Sequence, residues 1–139
     1  MNSLMSNMKN YKLLYGFNDP LGAPDSKAGI SGHFEVRLGV YQNSYSRNSH
    51  VACFDICYIG PARAIENLEK AIKQSFDWSI ERDGRGHSEW ISGHTAEMLE
   101  IEIDKIIEGY KFKVQKVDKK FLPLTVDNMQ EFRQYYGLE

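Results

Sequence analysis

The sequence predicts an α/β (α+β) chain, a small mixed or antiparallel central sheet flanked by helices. Three observations lead there. Apolar residues alternate strictly over Tyr11–Phe17, and a long β-type run covers Val51–Ile59. Apolar stripes at helical spacing recur between the strand signals. The length of 139 residues favours one hydrophobic core, and 42% apolar with 26% charged residues is the balance of an ordinary globular chain.

Taken in order, Met1–Asn10 is polar and rich in Ser and Asn, and is expected to be a disordered leader without an apolar signal segment. Tyr11, Leu13, Tyr15 and Phe17 put one side of the first strand toward a core. Asn18–Asp25 holds two prolines and a glycine and reads as a loop. Lys27–Ser31 is the second strand, so the pair forms a hairpin with a longish connection. Ser31 is expected to cap a helix of about a dozen residues, with Phe34, Leu38 and Tyr41 at i, i+4 and i+7 facing inward. Tyr45–His50 is a polar, basic loop.

Val51–Ile59 is apolar on both faces apart from Asp55, which suits a central strand. Gly60-Pro61 ends it, and Pro61 suits the first turn of a helix whose buried stripe is Ile65, Leu68, Ile72 and Phe76. Ser79–His87 is charged and glycine-containing, hence an exposed loop. Glu89-Trp90-Ile91 is a short anchored segment. Thr95 caps a third helix with Leu99, Ile103, Ile106 and Ile107 inward. Tyr110, Phe112 and Val114 alternate with Lys111, Lys113 and Gln115, which predicts a strand. Pro123 interrupts the chain, and Asp127 is expected to cap a last short helix through Tyr136. The organisation is thus a leader at 1–10, a domain at 11–109, and a C-terminal strand and short helix at 110–139 packed on the same domain.

Composition bounds the function. No stretch approaches the roughly 20 apolar residues of a membrane span. Cys53 and Cys57, on one face of a single strand, would stand about 13 Å apart, too far for a disulfide. They lack partners at zinc-ligand spacing and read as reduced core thiols of a cytoplasmic protein. Net charge is −2, so no overall basicity points to nucleic acid. Charge is uneven, however: acids dominate Thr95–Gly109, and lysines dominate Tyr110–Lys120, a run able to track phosphates.

Chemistry concentrates in two stretches. The first is Tyr15, followed by Lys27-Ala28-Gly29 and by Arg37 eight residues after Gly29. A strand-borne phenol can hold or deprotonate a water. A guanidinium can grip a phosphate bidentately and stabilise developing charge. The second is Leu68–Phe76, where Glu69 follows a buried position at the helix edge. One carboxylate beside a phosphate suffices for a Mg²⁺ that keeps most of its waters. Glu66 lies one turn earlier, and helical phase leaves both glutamates open. Tyr41, one turn after Arg37, either orients that arginine or packs. Tyr58-Ile59-Gly60 ends the third strand, and Tyr58 reads as a sheet residue.

On these residues the chain resembles the GIY-YIG nuclease superfamily, and within it the phage-type branch whose second signature reads Lys-Ile-Gly. Leu14-Tyr15-Gly16 resembles the end of the first signature and Lys27-Ala28-Gly29 the second. Gly32–Gln42 resembles the family helix carrying Arg37, Leu68–Phe76 the metal-binding helix with Glu69, and Ser88-Glu89-Trp90-Ile91 the branch's Glu-Trp motif. Leu13-Leu14 stands where the first signature has glycine and isoleucine, and Lys27 where most members have tyrosine.

The resemblance implies a GIY-YIG-like fold and an endonuclease that hydrolyses DNA phosphodiester bonds with one Mg²⁺ (or Mn²⁺). The implied catalytic set is Tyr15, Lys27, Arg37 and Glu69, with Glu69 the metal ligand. DNA would be held by Arg47, Arg82, Arg85, His87, Lys111 and Lys113. The alternative is a catalytically inactive DNA- or protein-binding module on the same scaffold. A homodimer joined through Phe132, Tyr135 and Tyr136 is a further expectation, as is an intracellular, phage-encoded setting.

Overall fold

The computed structural model describes residues 10–32, 34–43, 50–76, 78–80 and 89–138. Strands β1 (Tyr11–Asn18) and β2 (Ser26–Ser31) form the antiparallel hairpin that the alternation predicts, with Tyr15 directly opposite Gly29. Helix α1 (Phe34–Asn43) follows, then β3 (Ile56–Pro61) and α2 (Ala62–Ser75). Short strands β4 (Trp78–Ile80) and β5 (Glu89–Ile91) precede α3 (Ala96–Tyr110). A two-residue strand β6 (Gln115–Lys116), a 3₁₀ turn (Lys119–Phe121) and α4 (Met129–Tyr136) complete the chain. The sheet runs β4-β5-β2-β1-β3-β6, and each pairing is antiparallel. The fold is therefore α+β with an antiparallel central sheet between helices.

The period-two rule of strands divides the core. Leu13, Tyr15 and Phe17 of β1 join Cys57 and Ile59 of β3 on one face. That face is covered by Leu38 and Tyr41 of α1 and by Phe121, Leu124, Phe132 and Tyr136 of the C-terminal segment. Leu14 of β1 and Ile56 and Tyr58 of β3 point to the other face, under Ile65, Leu68 and Ile72 of α2 and Leu99 and Ile103 of α3. Tyr58 is the sheet residue its position predicts, and its hydroxyl donates to the Asp104 carboxylate at 2.8 Å.

Several boundaries differ from expectation, each for a local reason. Ser31 is the last residue of β2 and α1 begins at Phe34, so Ser31 is no cap. Leu38 and Tyr41 are buried as predicted, while the Phe34 side chain lies outside the described ones. The apolar run at Val51–Ile59 is strand only from Ile56; before that, Phe54 makes an isolated antiparallel bridge with Leu124, and the Asp55 amide donates to Gly16. Such a run reports burial, which a bridged loop satisfies as well as a ladder does. Cys53 therefore precedes the strand that holds Cys57; both are free thiols, Cys57 buried and Cys53 half-buried. Pro61 closes β3 as the N-cap of α2 rather than entering its first turn.

Ser79 and Ile80 belong to β4, not to a loop, because they pair with Trp90 and Glu89. The predicted strand at Tyr110–Val114 is absent. Helix α3 runs on through Tyr110, and Lys111 turns left-handed at φ 56°, its amide and that of Phe112 both donating to the Ile107 carbonyl. This closing motif normally uses glycine, and a lysine there costs roughly 1–2 kcal/mol. Thr95 does cap α3, its hydroxyl accepting the Met98 amide at 3.4 Å. Asp127 does not cap α4: Asn128 holds that position, accepting the Thr125 amide and donating to the Phe121 and Pro123 carbonyls.

Phe132 and Tyr136 are buried in the chain's own core, so they cannot serve as a dimer interface; of that trio Tyr135 alone is exposed. Among the described residues no helix is long and apolar enough to cross a membrane.

Candidate active site

Tyr15 sits in β1 with 1% exposure. Its ring lies flat on Phe54 at 4.2 Å between centroids and 18° between planes, and its hydroxyl meets that of Tyr41 at 2.6 Å. The phenol extends over Gly29 on β2: a Cβ there would stand 2.6 Å from the Tyr15 hydroxyl. Glycine is needed at this position because any other residue would fill the phenol's space.

Burial pushes the Tyr15 phenol well above its ordinary range, and Tyr41 adds to the shift through its charge and its hydrogen bond. The Arg37 guanidinium pulls the other way and the Glu69 carboxylate pushes it further up. A phenol is neutral at physiological pH even at its ordinary value, and burial makes the phenolate harder still to reach, so Tyr15 does not act as a phenolate base.

Arg37 and Glu69 belong to helices on opposite faces of the sheet. Arg37 is an exposed residue of α1, on the face to which Tyr15 points. Glu69 belongs to α2, which Pro61 directs onto the opposite face. The expectation that phenol, guanidinium and carboxylate share one face is therefore corrected. Tyr15 and Lys27 do share a face, since Phe17 pairs with Lys27 two positions from the Tyr15–Gly29 pair. Lys27 is 7% exposed and its ammonium lies 4.9 Å above the Tyr41 ring, a cation–π contact that keeps a buried charge in company.

The structure separates the two glutamates of α2. Glu66 makes a 2.9 Å ion pair with Lys12 of β1, which holds its carboxyl below the usual range. Among the described residues Glu69 makes a long 3.9 Å pair with Lys73 one turn on, and a quarter of its side chain is exposed. A partly exposed carboxylate with a loose partner is a donor suited to a hard cation that retains several waters. No group of three or more His, Cys, Asp or Glu side chains able to hold a metal occurs among the described residues. Among the described residues a metal on Glu69 would thus have fewer than three such ligands.

No protein-family model, curated protein or solved structure matches this chain.

Of the residues expected to bind DNA, Lys111 and Lys113 are exposed. Lys113 lies beside Gly60 near the end of β3, where its carbonyl would stand 3.1 Å from a Cβ. Gly60 pairs with Lys12, three residues along β1 from Tyr15, so Lys113 is not brought to the phenol. Arg47, Arg82, Arg85 and His87 lie outside the described residues. The participant that sequence reasoning left undecided is Tyr41, which packs and also holds the Tyr15 hydroxyl; its spacing of one turn from Arg37 was the available signal. Phe54 had none, because nothing local marks which buried ring it will touch.

Proposed function

We propose that this chain is a metal-dependent endonuclease that hydrolyses DNA phosphodiester bonds, a divergent member of the GIY-YIG nuclease superfamily in its phage-type branch. One observation carries the reading: the Tyr15 hydroxyl, laid over Gly29 and bonded to Tyr41, stands on the sheet face that also holds Lys27 and that α1, the helix of Arg37, covers. A core tyrosine that served packing alone would need neither the glycine cradle nor a buried cation over the ring of its hydroxyl's partner.

In this reading Arg37 grips the scissile phosphate and stabilises the charge that develops on it. Lys27, buried beside Tyr41, adds positive potential on the same side. Tyr15 and Tyr41, as neutral phenols, orient water by hydrogen bonding. From α2, Glu69 would hold Mg²⁺ or Mn²⁺, which would supply positive charge to neutralise DNA phosphate when bound. Lys111 and Lys113, with the basic residues Arg47, Arg82, Arg85 and His87, would hold flanking backbone. The proposed setting is the cytoplasm.

The test is nicking of supercoiled plasmid with Mg²⁺ or Mn²⁺ by wild type and by Glu69→Ala. Wild type is expected to cut and the variant not; equal activity in the two sinks the proposal. The burial of Tyr15 and a net charge of −2 favour a second reading, a non-catalytic binding module. Retention of DNA without metal and without cleavage would decide for it.

A further inference from the structure

Phe54 occupies a position that packing alone does not require. It precedes β3, yet its ring is fully buried and stacks on Tyr15 at 4.2 Å. It also meets Tyr41 edge-on, 6.4 Å between centroids and 86° between planes. Phe54 therefore touches both members of the hydroxyl pair. Its own main chain is tied on both polar groups: the Phe54 amide donates to the Leu124 carbonyl at 2.9 Å, and the Leu124 amide donates back at 2.8 Å. The next amide, that of Asp55, donates to Gly16 beside Tyr15.

We infer that Phe54, clamped by Leu124, is a positioning residue that sets where the Tyr15 hydroxyl lies over Gly29. The C-terminal segment then acts on the candidate site through Leu124. The physical reason is geometric. A tyrosine ring in a strand keeps freedom about its side-chain bonds unless a second ring fixes its plane. Offset stacking fixes that plane, and a stack is only as rigid as the backbone beneath it. Two reciprocal main-chain bonds to a segment remote in sequence make that backbone rigid. The catalytic half of this inference rests on the nuclease reading; the packing half does not.

The test uses the full chain with tyrosines labelled at the ring carbon bearing oxygen, the Tyr15 signal being assigned from Tyr15→Phe. Phe54→Leu and the milder Phe54→Met are compared with Phe121→Leu, which removes a ring of the same core whose aromatic contacts are Phe132, Tyr135 and Tyr136. Both Phe54 variants are expected to shift the Tyr15 signal, and Phe121→Leu to leave it in place. In plasmid nicking, kcat is expected to fall about five- to tenfold in the Phe54 variants with KM unchanged, the size of one lost aromatic stack.

An unmoved Tyr15 signal in Phe54→Met, or an equal shift in Phe121→Leu, overturns the inference. In wild type, ring-to-ring nuclear Overhauser effects between Phe54 and Tyr15 must be present, so the packing half is tested even without a folded variant. A Tyr15 signal that moves on substitution of Phe54, with a wild type that cuts no DNA, overturns the nuclease reading and the catalytic half together. An active enzyme with an indifferent Tyr15 signal overturns this inference alone.

Discussion

The Tyr15 hydroxyl takes the place of the side chain that Gly29 lacks: a Cβ on Gly29 would lie 2.6 Å from that oxygen and 2.9 Å from the ring carbon bearing it. The ring cannot swing aside, because Phe54 lies on one of its faces and Tyr41 holds its hydroxyl. Gly29→Ala is therefore an overpacking substitution and should cost about 1–3 kcal/mol in urea denaturation. Removing the hydroxyl in Tyr15→Phe should relieve part of that cost, so the double variant should be more stable than the sum of the single changes predicts. If the two losses simply add, the contact between these residues is not the source of the strain. DNA cleavage should be lost in both single variants and in the double.

The two glutamates of α2 separate a metal-binding role from a structural one. Glu69→Ala should lower cleavage by roughly 10²-fold or more, since a metal's charge stabilisation amounts to several kcal/mol. Glu66→Ala should leave cleavage near wild type, because Glu66 is engaged with Lys12 at 2.9 Å. Excess Mn²⁺ should recover part of the Glu69→Gln activity and none of a defect caused by misfolding. Nicking rates against metal concentration check the pair, and a larger loss in Glu66→Ala would reverse the assignment.

Most of the architecture was legible in the sequence, and the failures share a cause. The β1–β2 hairpin, the Thr95 cap and the buried stripes of α2 and α3 rest on signals confined to a few neighbouring residues; the hairpin and cap are present, Ile65, Leu68, Ile72, Leu99 and Ile103 are buried, and Phe76, at the end of α2, and Ile106 and Ile107 of α3 are partly so. Val51–Phe54 and Tyr110–Val114 carry apolar patterns that a strand would satisfy, but tertiary partners settle them otherwise. Leu124 claims the Phe54 main chain, and the helix closure at Lys111 uses up the alternation after Tyr110. At the site, residue types and spacing pointed to Tyr15, Lys27, Arg37 and Glu69. Which sheet face each helix would cover was not readable, because it depends on the direction in which Pro61 sends α2. The upward shift of the Tyr15 phenol was likewise hidden, since it comes from burial and from Tyr41.

Alkaline pH should expose the buried acids of the core. Burial raises Tyr15 and Tyr58 above the ordinary 10.0 of a phenol and Cys57 above the ordinary 9.0 of a thiol. In the unfolded chain these groups release protons near their ordinary values, while the folded chain still binds them. Stability from these groups is thus intact below pH 9 and falls as pH rises, beginning with the thiol and steepening above pH 10 as the phenols join. Each group should contribute a slope of about 1.4 kcal/mol per pH unit. Urea midpoints between neutrality and strongly alkaline pH check this, and Tyr58→Phe should remove one group's share of the slope above pH 10. A slope unchanged by that substitution would exclude Tyr58 as a source.

The C-terminal segment should be indispensable for folding, not an appendage. Phe121, Leu124, Met129, Phe132, Tyr136 and Leu138 are each at most 5% exposed, and they cover the same sheet face as Tyr15. Burial of such a side chain contributes about 1.5–3 kcal/mol, so their joint loss reaches the whole stability of a domain, about 5–15 kcal/mol. The reciprocal bonds between Phe54 and Leu124 would go with them, leaving two main-chain groups of a fully buried residue without partners. A chain ending at Lys120 should show no cooperative thermal transition by circular dichroism, and its tyrosine signals should collapse toward unfolded positions. A truncated chain that melts cooperatively, with Tyr15 still at its native chemical shift, would mean that α1 and the sheet bury this face unaided.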